Sequence, residues 1–128
     1  YEAKVEPVVS GQEVLELQQL VRRMPAPPTI VKYCVSLARA SRPSEPGALP
    51  EIKKYLNYGT GPRASQYLVL GAKARAAMDG RAVPDIDDVR SIATSVLCHR
   101  MVMNFQAEAE GVGPDKIVSL VLDKYRAA

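Results

Sequence analysis

GPRASQYLVLGAKARAAMDG, residues 61–80, carries apolar or small side chains on most sides of a helical wheel. Gly61-Pro62 reads as the last loop residue and the first helical position. Proline's fixed φ suits a first turn, and its missing N–H is no loss there. Gly80 is the natural C-terminal stop. A helix from Pro62 to about Asp79 that is apolar nearly all round belongs at the centre of a bundle. Its small residues (Ala64, Gly71, Ala72, Ala74, Ala76, Ala77) let neighbouring helices approach closely. Tyr67, Leu70, Ala74 and Ala77 are expected to be largely buried. The fold class follows from this one segment: all-α.

Amphipathic segments lie on both sides of it. Ser10 and Glu13 form a capping-box pair, and Val14, Leu17, Leu20, Val21 and Met24 follow at helical spacing, predicting an inward stripe. PAPP at 25–28 stops that helix and launches a second, with Ile30, Cys34, Leu37, Ala38 and Ser41 facing inward. Arg42 to Gly61 is a polar connector containing Pro43, Pro46 and Pro50, with a short ordered piece over 52–58 packing on the bundle. Beyond the central helix, Asp85 caps a helix carrying Ile86, Val89, Ile92, Ala93 and Val96. Gly113-Pro114 then repeats the loop-then-proline start for a helix carrying Ile117, Leu120, Val121 and Tyr125. The expectation is a compact bundle of about five helices over 10–128, preceded by an extended lead-in over 1–9 in which Pro7 breaks any helix.

One chain of 128 residues, 47% hydrophobic, can bury a single modest core. Its charge is +3 (17 basic against 14 acidic residues), well short of the lysine-arginine stripe of a dedicated nucleic-acid binder. Six Tyr, one Phe and no Trp argue against base-stacking platforms. Nucleic acid is therefore an unfavoured partner. Cys34 and Cys98 are isolated, which predicts two reduced, packed thiols in a cytoplasmic protein. No apolar run approaches the ~18 residues of a membrane span and no signal peptide opens the chain, so no membrane partner is expected. The start at Tyr1 suits either a piece of a longer protein or a processed terminus.

There is no GxxxxGK[ST], HExxH, GxSxG or CxxC pair, and His99 is the single histidine, which excludes a triad or multi-histidine metal site within the chain. His99 and Arg100 fall near a helix end, where cations complement the dipole. Asp85, Asp87 and Asp88 are first-turn acids with the same ordinary explanation, so no metal ligand is assigned. Arg81 is placed to pair with one of them.

Arg63 is less ordinary. It stands in the first turn of the central helix, where exposed N–H groups already carry about half a positive charge. Two readings are open. Arg63 is a solvated arginine with its stem laid on the bundle, or it belongs to an anion site, because free N–H groups and a guanidinium fork are both satisfied by a phosphate. On the second reading, Gly59 and Gly61 would let that ligand approach the backbone. The chain has no phosphate-cradling loop of its own, so a nucleotide served by Arg63 would be held mainly elsewhere. Lys73, further along the helix, is expected to be indifferent to it.

YGTGPRASQYLVLGAKARAAMDGRAV (58–83) followed by DDVRSIATSVLCHRM (87–101) resembles the C-terminal lid of MoxR-type AAA+ ATPases. The resemblance extends from VEPVVSGQEVLELQQLVRRM (5–24) through the closing helix. The family's Gly-Ala-Ser-Pro-Arg-Ala segment, which carries the second sensor arginine, matches Gly59 to Ala64 and puts that role on Arg63. Its Gly-Arg and Val-Leu-x-His-Arg signatures match Gly80-Arg81 and Val96 to Arg100. Two positions depart. Gly61 replaces the usual serine, and Ile86 stands where the family often has proline, with Pro84 two residues earlier.

The resemblance implies a cytoplasmic, ring-forming ATPase, usually hexameric, that acts as a chaperone-like remodeller, often with von Willebrand factor A domain proteins as partners. ATP with Mg would lie between an upstream α/β core and this lid, residues 1–9 being the linker. The P-loop lysine and the magnesium aspartate would belong to the core. Arg63 would reach the β/γ-phosphates, with Gly61 and Pro62 as the adjoining nucleotide-contact positions. This segment alone would be inactive and would not hold ATP tightly. A rival from another class is a stand-alone basic helical interaction or DNA-binding module. Residues 62–81 carry four positives against Asp79, but Lys73 and Arg75 lie about 200° apart on a helix and build no single basic face.

Overall fold

Four of the seven helices among the described residues begin on a proline, so the chain's punctuation sets much of its architecture. A computed structural model describes residues 4–126. Its elements run α1 (Gly11–Arg23), α2 (Pro28–Ala40), α3 (Pro50–Tyr55), β1 (Leu56–Tyr58), α4 (Pro62–Met78), α5 (Ile86–Leu97), a 3-10 turn (Cys98–Arg100), β2 (Val102–Met103), α6 (Phe105–Ala109) and α7 (Pro114–Lys124). Pro28, Pro50, Pro62 and Pro114 occupy the starts of α2, α3, α4 and α7. The fold is all-α, as expected, although it has seven helices rather than about five. The short α3 and α6 bracket a minimal antiparallel pair in which Leu56 opposes Met103 and Tyr58 opposes Val102. Residues 4–9 form no helix or strand and are exposed, in keeping with an extended lead-in. The rest of the expected lead-in, residues 1–3, lies outside the described residues.

The central helix is α4, which packs against α5, α2 and α1. Its buried stripe is Ala64, Leu68, Ala72 and Ala76. Tyr67 is instead 47% exposed, and Leu70, Ala74 and Ala77 are half-buried. A wheel that is apolar all round identifies a central helix but does not say which stripe faces inward; the small alanines win because they permit the closest approach. At Gly71 a Cβ would lie 3.2 Å from Ile92 Cδ1, so α5 rests almost directly on the α4 backbone. The helix ends as the sequence predicts. Gly80 adopts φ +72°, its N–H donates to Ala77 O, and the Arg81 N–H donates back to Ala76 O at 2.8 Å.

The expected stripe of α2 is buried throughout: Ile30, Cys34, Leu37, Ala38 and Ser41 are each at most 4% exposed. Burial pushes the Cys34 thiol up to about 12, which keeps it a packing group. Val89, Ala93, Ile117, Val118 and Val121 complete a single core cluster spanning α2, α4, α5 and α7.

The first helix departs from its reading. The Ser10–Glu13 capping box is present, but α1 contains no buried residue, and Val14, Leu17 and Leu20 are all exposed. Only Met24, just past its end, is buried. Amphipathicity marks the face that seeks cover. Among the described residues α1 packs chiefly against α4, and near its C-terminal end Lys73 Nζ donates to Arg22 O at 3.4 Å.

Candidate functional site

The loop before α4 is fixed by a buried hydroxyl network at the end of α2. Ser41 Oγ donates to Ala38 O at 2.8 Å and lies 3.0 Å from Thr60 Oγ1. The Thr60 N–H donates to Ser41 Oγ at 2.9 Å, and Thr60 Oγ1 donates to Ala38 O at 3.1 Å. Arg42 Nε donates to Thr60 O at 2.9 Å. Both hydroxyl residues are 1% exposed, and each polar group has a partner, as burial requires. Gly59 belongs to the same clamp. A Cβ there would fall within contact distance of the Ser41 carbonyl and 2.6 Å from Arg42 Cα. Gly59 is therefore present for packing, not for ligand approach as the sequence suggested. Gly61 fits that expectation better, since nothing lies within 4 Å of where its Cβ would be.

This clamp sets Gly61 as the N-cap of α4, with no side-chain cap and no acid in the first turn. Pro62 follows at the first helical position and Arg63 after it, both exposed. Among the described residues Arg63 enters no ion pair. The structure thus places Gly61, Pro62 and Arg63 at the start of α4, where Pro62 has no N–H and the Ala64 N–H donates to Gly61 O at 3.0 Å. They line an open recess of about 470 Å³ whose other wall is His99 and Arg100. Arg63 also borders a second cleft of about 530 Å³ between α1, α2 and α4, floored by Val31, Val35 and Leu70 and edged by Arg22 and Lys73. Lys73 edges the same cleft as Arg63, with its Nζ donating to Arg22 O of α1. Arg75 lines neither recess.

His99 and Arg100 lie just past the end of α5, as the sequence expects, in a 3-10 turn. That turn also brings them beside the start of α4, and the Arg100 guanidinium carbon sits 4.7 Å from the Tyr67 ring centroid. Arg100 was missed as a neighbour of Arg63 because 37 positions separate the two in sequence. A shared basic character was the only signal available.

The acidic cluster after α4 is structural. Arg81 donates to both carboxylate oxygens of Asp88, at 2.6 and 2.8 Å, and also reaches Asp79 and Asp85 at 3.1 and 3.2 Å. Asp85 and Asp88 form a reciprocal capping box on α5. Asp88 is 4% exposed, and the Arg81 guanidinium holds its carboxyl below the ordinary aspartate value. Three carboxylates converge on one guanidinium, so the expected Arg81 pairing is found threefold.

A family model described as AAA lid domain matches residues 51–120, more than half of the chain. The chain is 28% identical over 115 residues to Chaperone MoxR1 of Mycobacterium tuberculosis, covering 90% of this chain and 30% of that protein. It is also 28% identical over 122 residues to the uncharacterized protein YeaC of Bacillus subtilis, covering 95% and 35%. A solved structure from Cytophaga hutchinsonii, described as a "putative ATPase", superimposes with a TM-score of 0.82 at 32% identity, covering 88% of this chain and 34% of that one. The chain spans about a third of the length of the proteins it matches. The likeness read from its sequence motifs is borne out.

Proposed function

The chain belongs to the AAA lid domain family, and we propose that it is the lid of a MoxR-type AAA+ ATPase that closes over ATP held by a separate core. On this reading Arg63 is the second sensor arginine. ATP with Mg supplies the phosphoanhydride and its counter-charge, while the P-loop and the magnesium ligands lie in the core. The residues here suit a terminal phosphate on their own evidence. Arg63 stands at an acid-free, uncapped helix start, on a loop that a buried hydroxyl clamp prevents from wandering. That placement is the observation that carries the reading. The guanidinium orients on phosphate oxygens through a planar fork, and the positive end of the α4 dipole adds to its pull. A contact that exists only when the terminal phosphate is present biases the lid between two positions.

The wider reading rests on the resemblance of the sequence motifs: a cytoplasmic, chaperone-like remodelling ATPase, hexameric when full-length, working with a von Willebrand factor A domain protein. No helix among the described residues is long and apolar enough to cross a membrane.

The test is steady-state ATP turnover of the full-length protein. Arg63→Ala should lower turnover by about ten- to a hundredfold, the loss expected of one charge-assisted phosphate bond worth roughly 1.5–3 kcal/mol in the transition state. Arg75→Ala, in the last turn of the same helix and outside both recesses, is the matched control. Parent-level turnover in Arg63→Ala would leave Arg63 a surface charge and end this reading.

A further inference from the structure

Among the described residues Arg100 makes no hydrogen bond from its buried Nε and no ion pair, an arrangement that calls for an explanation. What fixes it is the face of Tyr67, 4.7 Å from the guanidinium carbon to the ring centroid. A ring face steadies a guanidinium plane while leaving its terminal Nη donors free, which a carboxylate partner would not; the buried Nε is out of a ligand's reach. Tyr67 lies one helical turn after Arg63 on α4, and residues four apart share a face. Arg63 and Arg100 accordingly line the same open recess, from two elements far apart in sequence. Two guanidiniums beside the positive end of α4, with no acid among them, repel one another until a multiply charged anion arrives.

We propose that Arg100, held on Tyr67, is a second phosphate-gripping guanidinium that engages the same terminal phosphate as Arg63 from the opposite wall. This rests on the reading of Arg63 as the sensor arginine. Two forks from different elements define the anion's position as well as its charge. The pair would therefore distinguish nucleoside triphosphate from diphosphate more sharply than one arginine could. Tyr67 acts as a positioning residue, since its ring sets the plane of the guanidinium.

The test is equilibrium binding of a slowly hydrolysed ATP analogue and of ADP to the full-length protein, for the parent, Arg63→Ala, Arg100→Gln and Arg100→Lys. Thermal unfolding is recorded for each. Arg100→Gln should weaken the ATP analogue about tenfold, the loss of one charge-assisted bond. ADP affinity should stay at the parent level, and Arg100→Lys should recover part of the loss by keeping the charge without the fork. If Arg63→Ala weakens the ATP analogue while Arg100→Gln does not, Arg100 is no phosphate ligand and the proposal fails alone. If Arg63→Ala also binds like the parent, the sensor reading beneath it has failed. If both Arg100 variants lower the melting temperature while the ATP-to-ADP preference is unmoved, Arg100 is only a packing plank and the proposal is overturned.

Discussion

At Gly59 the chain passes so close to the Ser41 and Arg42 backbone that a methyl group cannot be seated. Gly59→Ala should therefore cost about 1–3 kcal/mol, the range for forced overpacking, measured by urea unfolding. Because the displaced loop carries Arg63, nucleotide affinity should fall with it. Asp88 makes a different prediction. Its folded pKa is depressed by Arg81, so its contribution to stability is fully present above the unfolded value, near 3.8, and is lost as the pH falls through the lower folded value. Asp88→Asn should remove that acid-side limb of the stability profile. At neutral pH it should cost on the order of 1 kcal/mol, at the low end for a charged hydrogen bond because Arg81 is partly solvated. A parent and variant with parallel acid limbs would contradict the assignment. At this scale the sequence was legible where the physics is local: Pro62 and Arg63 in a first turn, Gly80 as a stop. The Ser41–Thr60 clamp was not. Helical spacing could say that Ser41 faces inward, but not that a hydroxyl 19 positions later would meet it there.

Among the elements, α1 is the one whose reading and setting diverge. Its apolar face is written in the sequence, yet the helix buries none of its residues, and Lys73 donates to the Arg22 carbonyl near its C-terminal end. Lys73→Ala should loosen that fastening, raising amide hydrogen exchange across Gly11–Arg23 while leaving the rates of α2 and α5 unchanged. Equal protection of α1 in both proteins would show that the lysine is incidental. The long helices were legible because their periods and caps are strong. The buried stripe of α4 was not, since apolar residues all round give periodicity nothing to choose between. α6 and the β1–β2 pair were invisible for another reason: five residues, and strands of three and two, are too short to carry a pattern.

In the molecule as a whole, α2, α4, α5 and α7 share one core cluster, so a pull on the start of α4 moves the bundle as a unit. On the proposed reading this is the physical content of a lid: a body joined to the phosphate through Arg63, which enters no ion pair among the described residues. The most direct measurement is the distance between a fluorophore on exposed Glu108 of α6, introduced as Glu108→Cys, and a second on the core of the full-length protein. It would be read with a slowly hydrolysed ATP analogue and with ADP. The distance should differ between the two nucleotides in the parent, and the difference should vanish in Arg63→Ala with both nucleotides saturating. The same nucleotide-dependent change in Arg63→Ala as in the parent would contradict the claim that Arg63 couples the terminal phosphate to the lid.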